Sequence, residues 1–206
     1  MFAWEAILEE ISRTIFGLIC HQDPSILMKI GGKEILLCPR CAGLHMGFLY
    51  SFVATILLTR KRIRIVEMPT KLILIIALGS IAVDWGVGGY LKLFTPTSLS
   101  RFLTGLAGGS ALGILVTSYR RGMTLPLSNL TINLNGLHVV GLICLSFFIG
   151  IVVVALNSWA LISLVLLLSV STNALIAIHT MALFLRSRLF SGIAVGASSY
   201  NKGGSL

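Results

Sequence analysis

The chain has 206 residues, of which 56% are hydrophobic and 11% are charged, whereas soluble domains are about 45–50% apolar and about 25% charged. This composition, with a mean hydropathy of +0.96, excludes an ordinary soluble domain and indicates an integral membrane protein. The formal net charge is +9, but the basic residues lie at the ends of apolar runs rather than in one patch, which argues against nucleic-acid binding.

The N-terminal segment, residues 1–19, is predicted to form an amphipathic helix in the plane of the membrane interface. Apolar residues recur at helical spacing through it, while Glu5, Glu9 and Glu10 lie on the opposite side. A helix of this type lies along the bilayer surface. A buried span is disfavoured because it would place Glu9 and Glu10 near the middle of the bilayer.

The next segment, residues 20–41, is a polar loop with a predicted β-hairpin at its centre. Its sequence ILMKI-GG-KEILL places two apolar runs on either side of a Gly-Gly pair, which is typical of a hairpin with a two-residue turn. A turn at Gly31-Gly32 places Lys29 opposite Glu34, and this pairing of opposite charges favours the register. The hairpin would bring the two ends of the loop together.

Cysteine and histidine, residue types that often bind metal ions, lie at the ends of this loop. The loop holds three of the four cysteines of the chain. Cysteine and histidine together are the ligands that favour zinc among the common metals. The predicted zinc ligands are Cys20, His21, Cys38 and Cys41. His45, one turn after Cys41, is a further candidate whose part in the site is left open.

Two other interpretations of the cysteines remain open. Cys38 and Cys41 could form a redox-active dithiol, in which the intervening Arg40 would favour a thiolate. Alternatively, Cys20 and Cys38 could form a structural disulfide across the base of the hairpin, because an outward-facing loop lies in a compartment that permits disulfides.

Five apolar segments are long enough to cross a bilayer, which takes about 20 residues. They cover residues 42–58, 72–93, 102–118, 137–156 and 160–185. The predicted fold is therefore an all-α integral membrane protein with five transmembrane helices, an amphipathic N-terminal helix and a small outward-facing β-hairpin. The five helices would form a domain over residues 42–189, followed by a flexible cytoplasmic tail over residues 190–206.

The distribution of lysine and arginine predicts the orientation in the membrane, since these residues are enriched in cytoplasmic loops. If the spans alternate, ten of them lie on one side and six on the other. The ten are Arg60, Lys61, Arg62, Arg64, Lys71, Arg120, Arg121, Arg186, Arg188 and Lys202, and the six are Arg13, Lys29, Lys33, Arg40, Lys92 and Arg101. The C-terminus is therefore predicted to be cytoplasmic and the cysteine loop to face outward.

Asp84 is the one acidic residue inside a predicted span. An acid in this position is costly and marks a candidate functional site. Arg101 begins the next span on the same side of the membrane, so Asp84 and Arg101 are predicted to be close and are candidate catalytic residues. The alternative is a buried ion pair that only joins two helices. The glycines of DWGVGGY, which begins at Asp84, are expected to break the helix.

Other polar and small residues in the spans are predicted to serve packing. Gly105, Gly109 and Gly113 are spaced by four residues, which permits close helix contact, within the chain rather than at a dimer face. Asn173 is predicted to form a hydrogen bond between helices, and Cys144 to be an inert thiol in the core.

The order of these motifs resembles the membrane protein family DUF2085. The pattern consists of CHQ, CPRCAGLHMG, an Asp in the following span and RFLTGLAGG, over residues 20–113. The matching positions are Cys20, His21, Gln22, Cys38, Arg40, Cys41, Gly43, Asp84, Arg101, Thr104 and Gly105. His45 departs from the pattern, because the family often has a tyrosine there. The resemblance implies a site and no particular reaction.

The sequence thus supports three functions in the lipid bilayer. The first is a zinc protein whose outward-facing site acts on a lipid-linked or small anionic substrate, with Arg101 holding the anionic group and Asp84 acting as a base. The second is a membrane thiol–disulfide oxidoreductase. The third is an accessory or structural subunit of a membrane complex, in which the metal only fastens the loop.

Overall fold

Six α-helices make up most of the computed structural model, which describes residues 3–58, 62–64, 67–124 and 131–200. Their bounds are α1 Ala3–Gly17, α2 Pro39–Leu58, α3 Met68–Ala82, α4 Ser98–Thr124, α5 Gly136–Ala155 and α6 Trp159–Tyr200. Within the described ranges, five helical segments are long and apolar enough to cross a membrane. The predicted all-α integral membrane fold is confirmed, and the chain is a multi-pass membrane protein.

Helix α1 is amphipathic, as predicted, and it carries apolar residues on two of its sides. Leu8 and Phe16 are buried in the same cluster as residues of the hairpin and of α2. Trp4 and Ile7 remain exposed. One side of α1 therefore packs on the protein, and the exposed side is suited to the membrane interface.

The predicted hairpin is confirmed in its turn and in its register. Strand β1 (Met28–Ile30) pairs antiparallel with β2 (Lys33–Ile35), and Lys29 lies opposite Glu34, with 3.6 Å between Lys29 Nζ and Glu34 Oε1. Gly31 and Gly32 have φ angles of 57° and 77°. A tight turn with two positive φ angles favours glycine at both positions, which explains why the Gly-Gly pair determines the register.

Helices α2 and α4 approach each other closely enough for their backbones to touch. A Cβ added at Gly43 would collide with the carbonyl oxygen of Phe102, and one added at Gly105 would collide with that of Arg40. Gly109 is in the same situation against Leu44. The predicted use of the α4 glycines for packing within the chain is confirmed, because only residues without a side chain permit this contact.

The end of α3 differs from the prediction. The glycine-rich DWGVGGY sequence does not break the helix, which continues as a π-helix over Val83–Tyr90. In a π-helix the backbone bonds span five residues instead of four, and such segments are frequent at functional sites. Asp84 lies in the first turn of this segment.

A second pair of short strands was not predicted. Strand β3 (Arg62–Arg64) pairs in parallel with β4 (Thr131–Asn133). Each strand has three residues, too few for a period of two to be recognised in the sequence.

The chain divides into two units, residues 1–173 and residues 174–206, and α6 contributes to both. In the second unit, Thr180 Oγ1 donates a hydrogen bond to the Ile176 carbonyl at 2.6 Å. The helix continues to Tyr200, so residues 190–200 of the predicted tail are helical. Residues 201–206 of that tail lie outside the described residues.

Candidate metal centre

Three thiols meet where the polar loop joins α2. Cys20 follows the end of α1, Cys38 directly precedes α2, and Cys41 lies in the first turn of α2. The Sγ atoms of Cys20, Cys38 and Cys41 all lie within 4.8 Å of one another. The hairpin folds the loop back on itself and so brings Cys20 close to the start of α2. Helix α2 begins at Pro39, whose fixed φ suits the first turn of a helix.

Backbone amides donate hydrogen bonds to two of the sulfurs. The Cys38 amide donates to Cys20 Sγ at 3.4 Å, and the Cys41 amide donates to Cys38 Sγ at 3.5 Å. Hydrogen bonds from the thiols of Cys38 and Cys41 lower the pKa of Cys20 well below its usual range. Donating to Cys20 in turn raises the pKa of Cys38. These hydrogen bonds therefore favour the thiolate form at Cys20, and a thiolate is the form that binds metals.

The three cysteines fit a metal ion that prefers sulfur ligands. At a Zn–S distance of about 2.3 Å, tetrahedral sulfur ligands lie about 3.8 Å apart, which is compatible with the spacing of this group. The three thiols could hold a metal ion, and they would fill three positions of a tetrahedral site.

The structure does not place His21 with the three thiols. Its ring nitrogens fall outside the group of mutually close ligand atoms, and its side chain is exposed. The sequence suggested His21 because it adjoins Cys20. Adjacent residues in an extended loop point in different directions, so closeness in sequence did not bring both side chains to the same centre.

His45 also lies outside the group of mutually close ligands and is held by α6. Asn173 Nδ2 lies 3.1 Å from His45 Nδ1 and donates to the His45 carbonyl at 3.0 Å. The predicted hydrogen bond of Asn173 between helices is therefore confirmed. Its effect is to connect α2, one turn beyond Cys41, to α6.

Gln22 holds the loop in place, a role that the sequence analysis missed. Its Nε2 donates to the carbonyl of Leu36 at 3.1 Å and to that of Arg13 at 3.4 Å. Gln22 has a φ of 51°, a left-handed conformation that is uncommon outside glycine. The sequence signal for this role was the position of Gln22 in the CHQ motif, directly after the two candidate ligands Cys20 and His21.

The hairpin is also fastened to the connection between α5 and α6. The Gly31 amide donates to Asn157 Oδ1 at 3.0 Å, and Trp159 Nε1 donates to the Glu34 carbonyl at 3.0 Å. Lys33 Nζ lies 4.7 Å from the centre of the Trp159 ring, a favourable cation–π contact. The loop that carries the cysteines is thus fixed from both sides.

The partner of Asp84 is Arg40, which lies between Cys38 and Cys41. Arg40 Nε donates to Asp84 Oδ2 at 2.7 Å, and the terminal nitrogen Nη2 contacts the same oxygen. The side chains are 18% and 4% exposed, respectively, so the pair is largely removed from water. Arg40 is consequently occupied by Asp84, which weakens the argument that it activates a thiolate between the two cysteines.

The predicted pairing of Asp84 with Arg101 is not found among the described residues, whereas the closeness of these two residues stays a prediction. Neither a hydrogen bond nor an ion pair joins them in the described part of the chain, where Arg101 Nε is buried without a partner. Hydrogen bonds with Ser25 lower the pKa of Asp23, and the charge of Arg101 adds a smaller contribution. The topology correctly put Asp84 and Arg101 at one end of the helices, but it could not show that Arg40 is nearer to Asp84.

Cys144 is exposed on α5 and is not the core thiol that was predicted. The α5 sequence is apolar on all sides, and its pattern does not distinguish a surface that faces lipid from one that faces protein.

Comparisons with known proteins support the assignment of the chain as a membrane protein. Residues 20–115 match the family model described as "Predicted membrane protein (DUF2085)", so the resemblance noted in the sequence is confirmed. An uncharacterised protein of Methanocaldococcus jannaschii is 34% identical over 95 residues, which are 46% of this chain and 59% of that relative. No solved structure matches the chain.

Proposed function

We propose that the cysteine motif of this membrane protein, which lies within the residues that match the DUF2085 model, is a zinc centre with Cys20, Cys38 and Cys41 as its ligands. The observation that carries the proposal is the mutual approach of three sulfur atoms to within 4.8 Å at the start of a transmembrane helix. Zinc accepts thiolate ligands readily. A disulfide would use only two of the three sulfurs.

Three protein ligands are the number found in catalytic zinc sites, whereas structural zinc sites have four. Bound zinc would supply a Lewis acid that polarises an oxygen atom of a substrate or activates water. The exposure of His21 favours this open arrangement over the four-ligand site predicted from the sequence.

The residues near the centre suggest the class of substrate. Arg101 has a buried Nε without a partner among the described residues, and a free guanidinium donor in this position is suited to an anionic group. Because Arg40 already holds Asp84 Oδ2, we assign Asp84 to substrate positioning through its other oxygen. The proposed substrate is a lipid-linked or small anionic molecule at the outer leaflet, and the proposed C-terminus is cytoplasmic.

The test is metal content with a thiol count on protein purified without chelator, in a Cys144→Ser background. We expect about one zinc per chain, with all three remaining thiols free after denaturation. Cys20→Ser, Cys38→Ser and Cys41→Ser should each lose most of the metal. His21→Ala is the matched control, because it changes the neighbouring predicted ligand that lies outside the sulfur group, and it should retain the metal.

The same background tests the orientation. In intact cells, a maleimide that does not cross the membrane should label the three thiols after zinc is chelated and not before. Absence of metal with two thiols missing would refute the zinc centre and favour the redox dithiol or a disulfide. Labelling that requires permeabilised cells would refute the outward orientation and leave the metal centre standing.

A further inference from the structure

A groove with a volume of about 560 Å³ lies between α3, its π-helical continuation and α4. This volume is within the range of sites for small molecules, about 300–1,000 Å³. Ile75, Ile76 and Val83 on one wall are 65%, 63% and 53% exposed. They belong to a helix that is long and apolar enough to cross the membrane, and in a bilayer these exposed side chains would face lipid.

The hydroxyl groups along the groove all donate their hydrogen bonds to backbone carbonyl groups. Ser80 Oγ donates to the Ala77 carbonyl at 2.7 Å, and Ser100 Oγ donates to the Thr97 carbonyl at 3.0 Å. Thr104 Oγ1 likewise donates to a backbone carbonyl, that of Arg101, at 3.1 Å. A hydroxyl whose hydrogen is engaged retains only its capacity to accept. The hydroxyls of the groove therefore present acceptors to a ligand.

Asp84 adds a stronger acceptor. It lines the groove and is 3% exposed, and its Oδ2 is held by Arg40. Its Oδ1 is buried and has no hydrogen-bond partner in the residues that the structure describes. A buried carboxylate oxygen without a donor is costly, and the surrounding lipid supplies few donors. The groove thus has a place for one hydrogen-bond donor on an otherwise apolar ligand.

We propose that this groove binds a neutral long-chain alcohol from the bilayer, whose hydroxyl donates to Asp84 Oδ1 while its chain lies along α3. A cation is disfavoured because Arg40 already compensates the charge of Asp84, so an added charge would be unpaired at membrane depth. An anion is disfavoured because the groove offers acceptors. The inference goes beyond the proposed function, because a free alcohol that donates to Asp84 Oδ1 requires neither a zinc ion nor an anionic substrate.

The binding test uses a long-chain alcohol with a photoreactive diazirine on its chain, added to the full-length protein in phosphatidylcholine nanodiscs. After irradiation, mass spectrometry should locate the label on peptides that contain Ile75, Ile76 or Val83. Unlabelled alcohol should compete at least about tenfold better than the methyl ether of the same chain, because the ether cannot donate a hydrogen bond to the carboxylate. Equal competition by the two compounds would overturn the proposal.

Gly79 offers a variant that fills the groove without removing its polar groups. A Cβ at Gly79 meets nothing within 4 Å, and Gly79 lines the groove, so Gly79→Leu should reduce labelling several-fold while the protein still folds. Gly141→Leu is the matched control, since Gly141 is also in a helix with open space around it and lies outside the groove; it should label normally. Undiminished labelling of Gly79→Leu would contradict the proposal.

Metal content measured on the same preparations separates the two hypotheses. Selective labelling of a preparation that contains no zinc would support the groove and refute the metal centre. One zinc per chain together with equal competition by the alcohol and its methyl ether would support the metal centre and refute the groove.

Discussion

Helix α4 contacts two of its neighbours, α2 and α3, in different ways. Against α2 it uses backbone contacts at Gly105 and Gly109, which leave no room for a side chain. Against α3, the atoms nearest to Gly108 belong to the flexible side chain of Ile81. Half of the apolar window of α4 is buried, compared with 22% for α3. The cysteine centre is thus built on the rigid pair, and the lipid-facing groove lies beside the more exposed helix.

This difference assigns distinct roles to the motifs that resemble those of DUF2085. Gly43 and Gly105 supply no ligand to the proposed metal, but their close approach to the facing helix determines where the first turn of α2 lies. That turn carries Arg40 and Cys41. A metal site requires its ligands to be held within a fraction of an ångström, and supporting residues provide this precision. The glycines are therefore part of the site through the backbone.

The largest effect is expected at the contact between α2 and α4. Gly109→Leu would drive a side chain into the carbonyl of Leu44, and overpacking that cannot relax is strongly destabilising. We expect a loss above about 5 kcal/mol, in the exceptional range for a single substitution, seen as a lower thermal unfolding midpoint in detergent or as failure to accumulate. Gly141→Leu, at a helical glycine with open space, should have little effect. Equal stability of the two variants would contradict the backbone contact.

The second effect concerns the ion pair that connects α2 to α3. Arg40→Leu or Asp84→Leu alone leaves a buried charge without its partner, which costs about 3–5 kcal/mol. The double variant removes both charges and should recover much of that loss, as measured by thermal unfolding. The control cycle combines Asp84→Leu with Arg101→Leu, whose effects should add within about 0.5 kcal/mol, as for independent sites. If the effects of Asp84→Leu and Arg101→Leu were non-additive while those of Asp84→Leu and Arg40→Leu were additive, Arg101 would be the partner of Asp84.

The smallest effect is expected in the loop. Gln22→Ala removes hydrogen bonds to the carbonyls of Leu36 and Arg13 and keeps a side chain at a positive φ, so a loss of about 1 kcal/mol is expected. Gln22→Gly removes the same bonds and suits the left-handed conformation, so it should be more stable than Gln22→Ala. A thermal unfolding midpoint for Gln22→Ala equal to that of the unchanged protein would show that the two hydrogen bonds of Gln22 do not stabilise the fold.

Local and distant features were predictable to different degrees. The hairpin register followed from Gly31-Gly32 and the Lys29–Glu34 pair, because turn geometry and cross-strand charge act between neighbours in sequence. The meeting of Cys20 with Cys38 followed from that register. The spans followed from hydropathy, since the bilayer imposes a minimum length. These features depend on short-range rules, and the structure agrees with them.

The partners of charged side chains depended on helix rotation, which hydropathy does not determine. Arg40 and Arg101 lie at the same end of the helices, and only the three-dimensional structure shows that Arg40 reaches Asp84. The exposure of His21 and of Cys144 depends on the direction of single side chains. The π-helix at Val83–Tyr90 is likewise invisible to a rule that treats glycine as a helix breaker.

The attachment of the hairpin to Asn157 and Trp159 bears on the order in which the protein is completed. These two residues are separated from Gly31 and Glu34 by 126 and 125 positions. During synthesis from the N-terminus, the cysteine loop emerges long before the residues that fasten it, and contacts over such separations close slowly. Four of the five spans precede Trp159. All three thiols are therefore synthesised before the contacts that fasten their loop to Asn157 and Trp159 can form.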